Sequence, residues 1–337
     1  MGGNIVIAIL IRALAAACLV LAAVEARSGQ VQAATVWECY VYNPVATQPS
    51  VQAIQRLIDT VKTQTNGELE INLHLGGSLP IKADGITAAV SDNVVQLGDD
   101  GFATGTIPIS AIIRLPMLLQ SPQDLDKAMA ILRPHLDAAY GKRDIVVLGQ
   151  YSYPFQVLWG RKKITSLADI KGSKLRATSV EQGEFIRRFG GISLTIGAPD
   201  VAAALDRGLV EGVLTASSGG GLAWHDLLKY RYAFPTSYVN STIVVNQEAL
   251  EKLPPATQKI IRDAGAGAAT WATVEMKRVE DEITARFSKE GMTLSDATPE
   301  EIKEATERMR SYWDEWATKH SPEAVATLKE IRAAVGR

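Results

Sequence analysis

Apolar residues recur at helical spacing at Val51, Ile54, Leu57, Ile58 and Val61, which predicts an amphipathic helix over Ser50 to Thr63. On either side the period drops to two: Val36 to Tyr42 and Leu69 to Leu75 each alternate as half-buried strands do, with Asn66-Gly67 as the intervening turn. The same rhythm continues with a helix over Ile86 to Val90, a strand over Val94 to Gly98, a glycine-containing loop from Gly101 to Ile107, a helix over Pro122 to Ala139 and a buried strand over Ile145 to Gly149. It resumes with strands at Gln156 to Trp159, Lys174 to Thr178, Ser193 to Ile196 and Gly212 to Ala216. Between these lie an N-capped turn at Ser166 to Ile170 and helices at Glu181 to Phe189 and Pro199 to Arg207. From Pro254 onward the pattern is almost all helix, with Gly291 as a break and Trp313 and Trp316 facing inward. Alternating strands and helices predict an α/β protein whose lobes are built on open, mainly parallel sheets.

The 337 residues suit two lobes and a removable segment rather than one core. The expected division is residues 1–33 as a leader, 34–152 as a first lobe that also takes strand and helix from the C-terminal half, 153–250 as a second lobe, and 251–337 as helices packing across both. The leader is almost wholly apolar from Ile5 to Val24, interrupted by Arg12, and closes on Val31-Gln32-Ala33. It reads as a secretory signal cleaved before Ala34, with an uncleaved anchor as the alternative. Removal of the leader takes Cys18 with it and leaves Cys39 alone, a small buried thiol with no disulfide partner.

Charge and motif content narrow the chemistry. A net charge of −2 with no basic stripe gives nucleic acid little to hold. His74, His135, His225 and His320 stand singly, without zinc-ligand spacing, and no Gly-x-Ser-x-Gly or phosphate-cradling loop occurs, so neither a metal, a cofactor nor a catalytic constellation is expected. Gly76-Gly77-Ser78 and Gly219-Gly220-Gly221 follow strands, where a glycine run serves either ligand approach or a tight turn. Arg176 is more telling. It sits in the apolar strand Leu175-Arg176-Ala177, where a planar guanidinium wants an anion: either an internal carboxylate or one carried by a ligand. Trp159 and Trp224 serve as core or as cleft walls.

Five segments together resemble the substrate-binding subunit of TRAP transporters, the DctP-type periplasmic receptors: Asn66-Gly67-Glu68-Leu69, Gly76-Gly77-Ser78-Leu79, Leu115-Pro116-Met117-Leu118, the run Asp169-Ile170-Lys171-Gly172-Ser173-Lys174-Leu175-Arg176, and Ala203 to Gly212. The resemblance implies a two-lobed fold with a ligand cleft between the lobes and long C-terminal helices. It further implies a monomeric periplasmic receptor that captures a small organic anion and hands it to a permease driven by an ion gradient, without covalent chemistry. A receptor for another importer class, or an α/β enzyme, is the alternative. Arg176 falls on the arginine that in this family pairs with the ligand carboxylate. Where many relatives carry an asparagine this chain has Thr215, and Thr215, Ser217 and Trp224 imply a pocket less charged and more aromatic than a dicarboxylate site. By position Tyr40, Asn43, Gly77, Asp100, Gln156 and Trp159 complete the expected binding set.

Overall fold

The computed structural model describes residues 34–337, so the expected signal over residues 1–33 lies outside the described residues. Strand β1 (Thr35–Val41) leads to helix α1 (Pro49–Gln64), β2 (Leu69–His74), a short helix α2 (Ile86–Ser91) and β3 (Leu97–Asp100). Helix α1 forms as its period dictates: Val51, Ile54, Leu57, Ile58 and Val61 are all buried, and Pro49 opens its first turn, where a missing N–H costs nothing. Helix α3 (Pro122–Gly141), capped by Ser121, precedes β4 (Ile145–Gly160). Then follow β5 (Lys174–Ala177), α4 (Val180–Arg188), β6 (Ile192–Thr195), α5 (Ala198–Asp206), β7 (Gly212–Thr215) and β8 (Tyr230–Asn246). The C-terminal third comprises α6 (Pro255–Lys289), β9 (Thr293–Asp296), α7 (Pro299–His320) and α8 (Pro322–Ala334).

All strands join one sheet in the order β2-β1-β3-β8-β4-β7-β5-β6, with β9 against β8. Outer pairs β1/β3, β5/β6 and β5/β7 run parallel, as a strand-helix-strand rhythm requires. The centre differs from the expected pattern. Two long strands, β4 of 16 residues and β8 of 17, run antiparallel to each other and through the whole sheet, so the sheet is mixed rather than mainly parallel. The stretches Ile145 to Gly149 and Gln156 to Trp159, expected as separate strands, are the two ends of β4, and β8 carries no alternation because it is buried on both faces.

The pairing of β4 and β8 is irregular between Tyr153 and Leu158, where each strand carries a proline, Pro154 and Pro235. Proline has no N–H to give to a ladder, so the two strands lose register together at this point. Helix α6 packs along the sheet: Ala264, Ala268, Ala272 and Met276 join the core under β1 and α1, while Ile283 and Phe287 join the core under β7 and α5. Trp313 and Trp316 are buried in a third core beneath α7 and α8.

Candidate ligand-binding site

Strands β1 and β3 on one flank and β5 and β7 on the other end facing the irregular stretch of β4, and their C-terminal loops enclose a cleft of about 570 Å³, its mouth included. The cleft lies where parallel strands deliver their loops. The first flank supplies Tyr42 and Asn43 after β1 and Gly101-Phe102 after β3. The second supplies Arg176 and Thr178 around the end of β5, Thr215 at the end of β7, and the turn Gly219-Gly220 with Trp224 beyond it. Tyr153 and Gln156 of β4 and Val239 of β8 form the floor between them.

Arg176 is the one charged side chain among the described residues that line this cleft. It is 2% exposed, its Nε donates to the Ile196 carbonyl at 2.9 Å, and it forms no ion pair among the described residues. Loss of solvation pushes its guanidinium down to about 9, partly offset by Tyr42 and reinforced by the charge on Arg114. Such a buried cation without a counter-ion is costly unless something anionic arrives. Trp224 stands beside it, ring centre 5.3 Å from the guanidinium carbon, a favourable contact for a cation on an aromatic face.

Hydrogen bonds among and behind the lining residues hold both flanks in place. Tyr42 and Tyr153 share a hydroxyl contact of 2.6 Å that joins the first flank to the floor. Asn43 accepts from the Val45 N–H at 3.1 Å, which fixes the turn after β1. Thr215 Oγ1 accepts from the Gly220 N–H at 3.1 Å, so its own proton is left to donate elsewhere. Gly220 is required here, because a Cβ would strike the Trp224 ring and lie 2.7 Å from Thr215 Oγ1. Glu280 of α6 anchors the same turn: it accepts from the Ser218 N–H at 2.8 Å and from Arg231 at 3.4 Å.

Of the residues expected from sequence, the structure brings Arg176, Thr215, Gln156, Asn43 and Trp224 to the cleft wall. The other five do not line it. Trp159 is core, its Nε1 donating to the Thr215 carbonyl at 3.1 Å, and Ser217 accepts from Arg231 at 3.1 Å. Tyr40 accepts from the Gly77 N–H at 2.9 Å and donates to the Ile81 carbonyl at 2.8 Å, so this pair braces the loop after β2. Asp100 is buried among Thr87 at 2.5 Å and Tyr140 at 3.1 Å. Sequence reasoning passed over Tyr42, Phe102, Tyr153 and Thr178, although Tyr42, Phe102 and Thr178 each lie within two residues of a position it did single out.

The model of the DctP group, described as bacterial extracellular solute-binding protein, family 7, matches residues 41–320. The chain belongs to this family. Members of the DctP family are solute-binding receptors and not enzymes, in keeping with a cleft lined by one cation and aromatic rings. Among solved structures, the chain is similar to a Bordetella pertussis extracytoplasmic solute receptor binding pyroglutamic acid, with 26% identity and TM-score 0.82, the match covering 89% of this chain and 100% of that one. A marine metagenome TRAP solute-binding protein specific for pyroglutamate matches at 22% identity and TM-score 0.81, covering 89% of this chain and 99% of that one. A Sulfitobacter TRAP periplasmic solute-binding protein with bound β-D-galacturonate matches at 18% identity and TM-score 0.80, covering 89% of this chain and 100% of that one. The α/β architecture expected from sequence is therefore that of the two-lobed DctP receptors.

Proposed function

We propose that the chain is a periplasmic receptor that closes two lobes on a small organic acid and delivers it to the membrane subunits of a TRAP permease. The observation that carries this reading is Arg176: a buried guanidinium with no carboxylate partner among the described residues, on the wall of the interlobe cleft. A ligand carboxylate would supply the missing counter-ion through a charge-assisted fork, in a site from which closure expels water. Thr215, Gln156, Asn43 and Trp224 contact the rest of the solute, while Tyr40, Gly77, Asp100, Trp159 and Ser217 support them from behind.

The lobes divide where β4 and β8 lose register, close to residue 153, so that the proline-bearing stretch serves as the hinge while α6 spans both halves. Delivery across the membrane fits a chain exported by residues 1–33, cleaved before Ala34, and acting as a monomer. The acids named for the similar Bordetella, marine metagenome and Sulfitobacter receptors make pyroglutamate and uronates the first candidates.

A thermal-shift screen of the mature chain against organic acids tests the receptor reading, since a solute that binds only the folded state raises the melting temperature. Uptake of the same acid into vesicles containing the cognate permease, dependent on added receptor and an ion gradient, tests delivery. A chain that no organic acid stabilises would sink the proposal.

A further inference from the structure

Resting on the receptor reading above, we infer that the cleft selects a compact monoanion with no second charge of either sign. Apart from Arg176, every described residue lining the cleft is neutral. The other charged groups nearby are buried behind the lining rather than in it, although Arg114 Nε and Nη1, Asp100 Oδ1 and Glu181 Oε2 make no hydrogen bond among the described residues. Arg114 is buried outside the lining, its Nη2 donating to the carbonyls of Gly101 at 2.6 Å and Asn240 at 3.0 Å. Asp99 is held by Tyr151 at 2.8 Å and Ser241 at 2.5 Å, Asp100 by Thr87 and Tyr140, and Glu181 by the Trp316 indole at 3.1 Å.

A dicarboxylate could pair one end with Arg176, but its other end would be stripped of water with no cation to meet it. A zwitterionic amino acid fails for the opposite reason: its ammonium would find no carboxylate on the wall and would sit beside the repelling charges of Arg176 and Arg114. Either mismatch leaves an unpaired charge in a closed site, the most costly kind of error a binding pocket can impose. What the wall does offer beyond Arg176 is neutral. Thr215 has a proton to donate, Thr178 spends its proton on Gln182 and retains acceptor lone pairs, and Tyr42, Phe102 and Trp224 present rings. These suit a body made of ring carbons with a lactam, ketone or hydroxyl.

Calorimetry on the mature chain at neutral pH tests this with two sets of similar size. The first holds compact monocarboxylates: pyroglutamate, 2-oxobutanoate, 3-hydroxybutyrate and benzoate. The second adds charge: glutarate and malate as dianions, proline with an ammonium, and glutamate with both a second carboxylate and an ammonium. At least one member of the first set is expected to bind, with every member of the second weaker by ~100-fold or more. A member of the second set binding within ~10-fold of the best in the first overturns the charge selection and leaves the acid receptor standing. Binding by neither set overturns the selection of a compact monoanion, and the receptor reading then stands or falls on the wider organic-acid screen.

Discussion

Arg176 and Trp224 face each other across 5.3 Å, guanidinium over indole, and this aromatic face is what the buried cation has in place of a carboxylate. The pair also links the two halves of the second flank, since Arg176 comes from β5 and Trp224 from beyond the Gly219-Gly220 turn. A cation held this way is ready for a ligand and is a burden to the empty protein.

Replacing Arg176 by Met therefore separates stability from binding. Acid affinity is expected to fall by about 2 to 5 kcal/mol, the usual range when one partner of a buried charged pair is removed. The ligand-free chain should melt at the same temperature or higher, because an unpaired buried charge is gone. Calorimetry and melting curves on the same samples check this, and a lower melting temperature would mean that Arg176 has an internal structural role.

Gly220→Ala places a methyl group against the Trp224 ring and 2.7 Å from Thr215 Oγ1. Trp224 must move away from Arg176 or the turn must open, so affinity should drop by roughly 1 to 3 kcal/mol, with a comparable loss of stability from overpacking. The alanine variant at Gly105, where a Cβ meets nothing, is the control and should bind as the parent does.

Closure has its own hydrogen bond. Gln48, from the loop that precedes α1, donates through Nε2 to the Gly219 carbonyl at 3.1 Å and so joins the two flanks across the cleft. Gln48→Ala is expected to shift the ligand-free chain toward an open form and weaken acid binding by about 0.5 to 1.5 kcal/mol, the net contribution of one such bond. Small-angle scattering should register the larger radius without ligand. Identical curves for variant and parent would assign Gln48 no part in closure.

Asp99 should make stability depend on pH in the sense opposite to an ordinary ion-paired carboxylate. Burial pushes its carboxyl up to about 7 from the usual 3.8, although Ser241 and Tyr151 donate to it and resist the shift, and Asp100 opposes ionisation further. Between those values the native state holds a proton that the unfolded chain releases. This contribution is complete below pH ~4 and is lost as pH rises through about 7, at up to ~1.4 kcal/mol per pH unit. Asp99→Asn removes that slope; Asp100, pushed up to about 6, keeps its own in both proteins. Urea unfolding across this range should show the parent losing stability relative to the variant as pH increases, and parallel profiles would refute the assignment.

Much of the outer fold was legible because its elements obey simple periods. Helix α1 lies within one residue of its predicted span at each end, since a single buried stripe writes a 3.6-residue repeat into the chain. Strand β8 left no such mark. Only Tyr230, Ala233 and Pro235 are less than buried and all the rest is buried, so no polar face alternates with an apolar one, and Pro235 inside it reads as a breaker. The site was legible in the same uneven way. Asp100 was chosen where the cleft takes Gly101 and Phe102: the strand expected to end at Gly98 runs on to Asp100, whose side chain is buried against Thr87 and Tyr140, and the chain reaches the cleft only beyond it.

The sequence by itself determined the class of fold, the family resemblance and Arg176, since these depend on local period, ordered motifs and one charge in an apolar strand. Only the tertiary structure decided that Arg176 has no ion-pair partner among the described residues, that Trp224 stands beside it, and that β4 and β8 are paired irregularly along the stretch that holds their prolines. Those relations join residues tens of positions apart, and solvation and pairing of a buried charge depend on everything that surrounds it in space.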